Sequence, residues 1–377
     1  MKKCLFLLFY WFLAGGMNLS AEPFNRIGQG IRNLGMGNVG VALSHDENAL
    51  HYNPAGLVGV DEFFVNLGIL GEVSDDLLNA QDEISTVQKL GDASTADTLE
   101  IALGKKIHLR FMVNTNVLIP FGGFTFGLSA LGEGRVRLGF QNPVLPRFNF
   151  SYQVDAPTYT YGVAIPLGRG GLVLGFGARY VTRVGLPDVE LSIDNLISSN
   201  DSEGTLDEYS GATKFATGQG YDVGLHWRVE GDWKLTLGVV GQNVGSLSFA
   251  NGSNKYPENV PGEYSAGLSL QPGSDYLRFL FAFDIRDITT QGTDDSFMAK
   301  RIHTGIEIGI LPIDSGASFI SLRSGYNQGY FSYGFEINPF IFARFVTLQV
   351  AVYSEETGSV PGGGKESRRA FQLSFAF

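Results

Sequence analysis

The chain has 377 residues, of which 50 are glycine, 12% are aromatic and only 17% are charged. A soluble domain of this length more often carries a higher charge fraction and helical periodicity. The formal charge of −11 argues against nucleic-acid binding, because phosphate contacts need a basic face.

Residues 1–21 read as a secretion signal. Lys2 and Lys3 form a basic start, Cys4 to Ala14 is almost continuously apolar, and Leu19-Ser20-Ala21 offers small residues to a signal peptidase. That apolar core is too short for a stable spanning helix, which needs about 20 residues. Beyond it no apolar run reaches that length, yet the chain carries 29 Phe and 15 Tyr. Cys4 is the one cysteine, so the exported chain is expected to have no thiol and no disulfide.

Residues 22–60 are glycine-rich and compact. Ser44 with Glu47 three residues on is a capping-box pattern, which predicts a short helix from about Asp46. Asn53-Pro54 should end it, because the residue before proline avoids helical angles. Gly35-Met36-Gly37-Asn38-Val39-Gly40 matches a dinucleotide fingerprint by letters, but no strand precedes it and no long helix follows. His45 and His51 stand six apart, off the spacing of a helical metal pair, so Asp46 and Glu47 read better as a helix start. No metal site is predicted.

Residues 61–377 carry the periodic sequence. Leu77, Ala80, Ile84, Val87 and Leu90 recur at helical spacing within 72–105, which predicts a short amphipathic helix. It could serve as a landing site for a greasy ligand or simply pack over a rim. Downstream the period is two. Leu277, Phe279, Phe281, Phe283 and Ile285 share one face, and Arg278, Asp284 and Arg286 the other. Residues 302–310, 221–229 and 330–338 repeat the pattern, with Glu307, Asp222, Arg228 and Glu336 on the small or charged face. A soluble sandwich and a membrane barrel both produce such alternation.

The connections favour the barrel. From residue 167 onward, short turns at 168–171, 230–232, 272–275 and 312–316 alternate with long loops near 185–216, 249–260, 288–299 and 355–368. Tight turns on one side and long loops on the other are the habit of outer-membrane barrels. Residues 185–213 hold seven acids and no base, as a water-exposed loop would. The strand count is 14 to 16, and an even number is expected. Asp222, Arg228, Arg278, Asp284, Arg286, Glu307, Arg323 and Glu336 read as ion-pair ladders lining a wet interior. No Gly-x-Ser-x-Gly or other nucleophile–base set is found, so neither an enzyme nor a cofactor is predicted.

The last strand ends on Phe371, Leu373, Phe375 and Phe377 alternating with Gln372, Ser374 and Ala376. That ending resembles the signal read by the bacterial barrel-assembly machinery. Arg32-Asn33-Leu34-Gly35-Met36-Gly37, then Ala42, then Asp46 to Leu57 closing on Tyr52-Asn53-Pro54-Ala55-Gly56-Leu57, resembles the amino-terminal hatch of the FadL family. Residues 240–245 and 262–269 share its texture, whereas His51 departs from the aromatic residue more usual there. The resemblance implies an all-β fold, a transmembrane antiparallel barrel of about 14 strands with a hatch at 22–60 and the barrel at 61–377. It also implies passive uptake of long-chain fatty acids or other hydrophobic small molecules across a bacterial outer membrane, gated near Asn53, Pro54, Ala55 and Gly56. Expected partners are that ligand, outer-membrane lipid and the assembly machinery. Release could be lateral or downward. The rival reading is a secretion accessory that holds exported protein cargo at the surface.

Overall fold

The computed structural model describes residues 27–43, 46–89, 104–141, 147–168, 170–192, 214–250, 257–274, 276–289, 298–313, 316–340, 345–357 and 364–377. The proposed leader, Ser44, His45, Leu90 and most of the acidic 185–213 stretch therefore lie outside the described residues. The strands are β1 (Phe64–Ser74), β2 (Lys106–Phe121), β3 (Phe124–Gln141), β4 (Arg147–Leu167), β5 (Leu172–Ser192), β6 (Lys214–Arg228), β7 (Thr236–Gln242) and β8 (Ser248–Phe249). They continue as β9 (Glu263–Leu270), β10 (Leu277–Ile285), β11 (Ile302–Pro312), β12 (Ser318–Asn327), β13 (Tyr330–Ile337), β14 (Val346–Glu356) and β15 (Lys365–Ala376).

Neighbouring strands pair antiparallel in one sheet, which closes where β1 meets β15, from Asn66 opposite Ala376 to Ser74 opposite Arg368. The two-residue β8 pairs with β6 and continues the line of β7, so the wall is a closed barrel of 14 strands. Closure leaves no free edge, which answers the hazard of an aromatic terminal strand. Phe377 and Val65 exchange backbone hydrogen bonds at 2.8 and 3.0 Å to seal the seam. Both termini of the wall fall at one end, as an even strand number requires.

The direction of the pleat is inside-out relative to a soluble protein. Along β10, Arg278, Leu280, Ala282 and Asp284 are buried while Leu277, Phe279, Phe281, Phe283 and Ile285 face outward. The same alternation runs through β11 and β15, where Phe371 is 55% exposed. At the end holding the termini, Phe63, Phe121, Trp233, Tyr276, Phe340 and Phe377 stand exposed around the rim. Such a ring is what an interfacial aromatic girdle looks like, and the band above it is a lipid-facing surface. Among the described residues no helix is long and apolar enough to cross a membrane; the strands do so. Phe281→Arg should therefore cost about 2–4 kcal/mol near mid-membrane. Urea unfolding in lipid vesicles checks this, and an unchanged midpoint would contradict the outward assignment.

Three features bear on the sequence reading. First, the helix expected within 72–105 is present after β1 as α3 (Asp75–Lys89), preceded along the chain by α1 (Ile31–Gly35) and α2 (Ala49–Tyr52). Within α3, Ala80 is buried and Leu77 half-buried, and the helix packs on β1, β2 and β15. Second, β12 and β13 join through only Gln328-Gly329, a tight turn on the long-loop side. Positive φ at both residues fits the twist of a two-residue hairpin. Third, β4 and β5 each run 21 residues, so part of what read as loop from 185 onward is wall. That is about twice the length a spanning strand needs.

Candidate functional site

The described part of 27–60 lies inside the barrel and is buried almost throughout. Its chain path differs from the expected helix at 46. Asp46 instead makes a turn, accepting from the Asn48 backbone N–H at 3.1 Å, and α2 begins at Ala49 without a side-chain cap. Glu47 reaches the wall and accepts from Asn66 Nδ2 at 2.6 Å, while Ser44, its expected capping-box partner, lies outside the described residues. Asn53 stops α2 in extended geometry (φ −155°), and Pro54 opens a 3-10 turn, Pro54–Gly59. That stop follows the sequence logic.

Three kinds of contact seat this segment. The first is ionic. Arg32 in α1 donates from Nε and Nη2 to both oxygens of Glu307, each at 2.9 Å, and from Nη1 to Asp46 at 2.6 Å. Glu307 on β11 also accepts from Arg278 at 3.0 Å and Arg323 at 2.7 Å, and Arg323 continues to Glu336. The expected ladder is present here, with Arg32 of the interior segment at its centre. Asp222 pairs with Arg179 at 3.2 Å. Asp284 uses one oxygen to accept from the backbone N–H of Gly40 (2.6 Å) and Val41 (3.0 Å). Arg228 and Arg286 are the exceptions: Arg228 lies half-exposed at the turn end of β6, and Arg286, just past β10, stacks over the Tyr52 ring without an ion pair among the described residues.

The second kind is a set of wall side chains that satisfy hatch carbonyls. His226 donates to Val41 O at 2.8 Å, Ser269 to Ala42 O at 2.8 Å, His303 to Gly37 O at 2.9 Å and Gln242 to His51 O at 2.6 Å. Asn53 works from the hatch side. Its Nδ2 donates to Val41 O at 2.8 Å and to Val239 O on β7 at 3.3 Å, while its Oδ1 accepts from Ala55 N–H at 3.1 Å. Irregular backbone in a lumen needs such partners.

The third kind is close backbone approach. A Cβ on Gly175 of β5 would lie 2.0 Å from Ala55 N, and one on Gly325 of β12 would lie 2.2 Å from Gly37 N. No side chain fits at either position. Ala55 is completely buried, and Leu50, Ala55 and Leu57 form an apolar contact with Leu118, Ala164 and Val173 at the terminal end. Asn53, Pro54, Ala55 and Gly56 are thus brought together at the wall, against β4, β5 and β6.

On the long-loop side, Ile27, Ile31 and Leu34 of the segment pack on an inward apolar patch that includes Leu70, Met112, Leu131, Val181 and Tyr353. Beside it lies a cavity of about 130 Å³ lined largely by charged side chains, with His51 and Tyr52 in its floor. Burial, assisted by Arg179, pushes the His51 imidazole down to about 3, so it sits uncharged.

The sequence reading missed Arg32, His226, Ser269, His303 and Gln242. A signal was available for the wall residues: each occupies an inward position of a period-two strand. The wall also holds an interruption between β7 and β8. Val223 pairs with Gly241 but Gly218 pairs with Phe249, so five steps along β6 match eight along its partner. Asn243, Gly245 and Ser246 absorb the excess with positive φ. The remaining expected landing-helix positions, Ile84 and Val87, have side chains outside the description, as does all of Leu90.

No protein-family model and no curated protein sequence matches the chain. Solved structures do. A channel described as the CymD monoaromatic hydrocarbon channel aligns at 14% identity and TM-score 0.53, covering 94% of this chain and 98% of that one. The Ralstonia pickettii toluene transporter TbuX gives the same identity, TM-score and coverage. A Pseudomonas aeruginosa FadL homologue aligns at 13% identity and TM-score 0.52, covering 94% and 99%. At these identities the likeness concerns architecture, and it spans nearly the full length of both partners. The chain has the fold of the FadL-type hydrophobic-compound channels, a 14-stranded transmembrane β-barrel.

Proposed function

We propose that this barrel lies in a bacterial outer membrane and passes hydrophobic small molecules inward by diffusion, with residues 27–60 as its gate. The observation that carries the reading is the seated segment itself. It occupies the lumen of a closed barrel, yet its links to the wall are side-chain hydrogen bonds, one ion-pair hub and close packing, none of which belongs to the sheet's own pairing. Fully built wall pairing and a separately anchored interior are what a movable stopper requires.

The apolar patch under Ile27, Ile31 and Leu34 gives a hydrophobic ligand a place to rest inside the lumen. Displacement of α1 uncovers it. The links near Asn53–Gly56 to β5, β6 and β7 then form the lower latch. Leu77 on α3, half-buried at the long-loop rim, serves as part of the surface where ligand first adsorbs, while Ala80 packs inward against the wall. The architectural neighbours named as hydrocarbon channels and as a FadL homologue support the same direction.

Uptake by cells with and without the protein tests this, using a panel of long-chain fatty acids and monoaromatic hydrocarbons. At least one class should enter several-fold more slowly when the protein is missing. Unchanged uptake across the whole panel overturns the transport reading.

A further inference from the structure

The cavity beside the apolar patch is unlike a hydrocarbon site. Eight Arg or Lys and four Asp or Glu side chains line it, in a chain of formal charge −11. Several of these cations are already matched. Arg110 pairs with Glu72 and Glu133, Arg179 with Asp222, and Arg368 with Glu355 and Glu366. Arg286, just past the end of β10, is different. It is 4% exposed, makes no ion pair among the described residues, and its Nε has no hydrogen-bond partner. Its guanidinium stacks instead over the Tyr52 ring of the hatch, 4.9 Å from the centroid. Neighbouring Asp284 faces Arg286 electrostatically but beyond ion-pair distance, and it gives one carboxylate oxygen to the hatch backbone at Gly40 and Val41 while the other oxygen makes no hydrogen bond.

A buried guanidinium without acceptors is costly. Stacking covers only its flat face; the in-plane N–H edge stays available, and that planar fork matches the spacing of a carboxylate or phosphate. Along the same cavity, Arg179 Nε and Arg368 Nη2 also lack partners.

We propose that this cavity binds a compact oxyanion (carboxylate, phosphate or sulfate), with Arg286 as its principal ligand. The lining fixes the chemical class. Apolar aliphatic side chains are confined to Ile27, Val260 and Pro261, so charged and polar side chains dominate the lining. At about 130 Å³ the cavity has room for a small charged group with several waters around it. Gly28, Gln29, His51 and Tyr52 of the hatch face the same space as Arg286 of the wall, so the anion sits between gate and barrel and holds the gate seated. The site goes beyond the uptake reading and stands or falls separately from it.

Titration calorimetry on the purified protein in neutral detergent at low salt tests the site, with inorganic phosphate and decyl phosphate in separate arms. Saturable binding in either arm is expected, weakened at least tenfold in Arg286→Gln and less in Arg286→Lys. Arg369→Gln, on the outer surface beside Asp75, should bind as wild type does. Binding of decyl phosphate alone identifies a lipid-like headgroup as the source; binding of both identifies the free ion; each supports the oxyanion site. If Arg286→Gln does not give a heat-modifiable folded barrel, Arg286→Lys carries the comparison, because it keeps the charge and loses the fork. No saturable binding in either arm, or undiminished affinity in the Arg286 variants, overturns the proposal whatever the uptake assay shows.

Discussion

Glu307→Gln should loosen the hatch more than any other single wall substitution. Glu307 is completely buried, and its two oxygens accept from three guanidiniums, those of Arg32, Arg278 and Arg323. Glutamine keeps the shape but removes the charge and turns one acceptor into a donor facing those cations. Breaking a buried pair by removing one partner costs about 3–5 kcal/mol, because the remaining charge stays desolvated. Here three remain, with Asp46 and Glu336 as their nearest relief. The sheet is expected to survive, since no backbone pairing of β11 involves the carboxylate. The loss should fall on α1, which Arg32 ties to β11. Expected results are a lower urea midpoint, tryptic cleavage after Arg32, and an ionic leak in planar bilayers that wild type lacks. The double variant Arg32→Ala/Glu307→Gln should lose less stability than the two single losses added, because removing Arg32 takes away one stranded cation. A silent bilayer with unchanged protease resistance would show that this hub does not hold the hatch.

How far the sequence could be read follows from which features are local. The period of two in residues 277–285 and 302–310 is a local property, and β10 and β11 show the expected faces residue for residue. The stop at Asn53-Pro54 is equally local, since proline constrains its own predecessor. α2 starts at Ala49 rather than Asp46, and Asp46 turns its carboxylate to Arg32, a partner that only the folded lumen brings near. Periodicity cannot distinguish an inward residue that meets water from one that meets the hatch. His226, Ser269 and His303 therefore looked like ordinary lumen positions. Their role depends on registers between strands far apart in sequence. The glycines at 175 and 325 read as texture for the same reason: the close approach of Ala55 and Gly37 is a tertiary fact. The bulge at 243–246 and the tight turn at 328–329 were hidden because neither breaks the composition around it.

Tying the hatch to the wall should stop transport altogether. Gly35 of α1 and Gly334 of β13 touch through their backbones, with a Cβ on Gly35 falling 2.9 Å from Gly334 Cα. Both added Cβ atoms would press on the opposite backbone, so the bridge closes only once α1 moves off β13 far enough to bring the two Cβ atoms to about 3.5–4.5 Å, and uptake through the reduced double-cysteine protein is the control for that displacement. If the leader is removed with Cys4, the paired substitution Gly35→Cys/Gly334→Cys supplies the only two thiols, so the bond formed is unambiguous. The lock adds a covalent link at the centre of α1 while leaving the barrel pairing and the outer face as they are. A gate that must move is then frozen, and a segment that merely fills space is unaffected. The decisive measurement is uptake of whichever hydrophobic compound the wild type admits, compared in cells carrying the oxidised and the reduced double-cysteine protein. Oxidation should cut uptake at least tenfold and reductant should restore it; full uptake through quantitatively cross-linked protein would contradict a gate at residues 27–60.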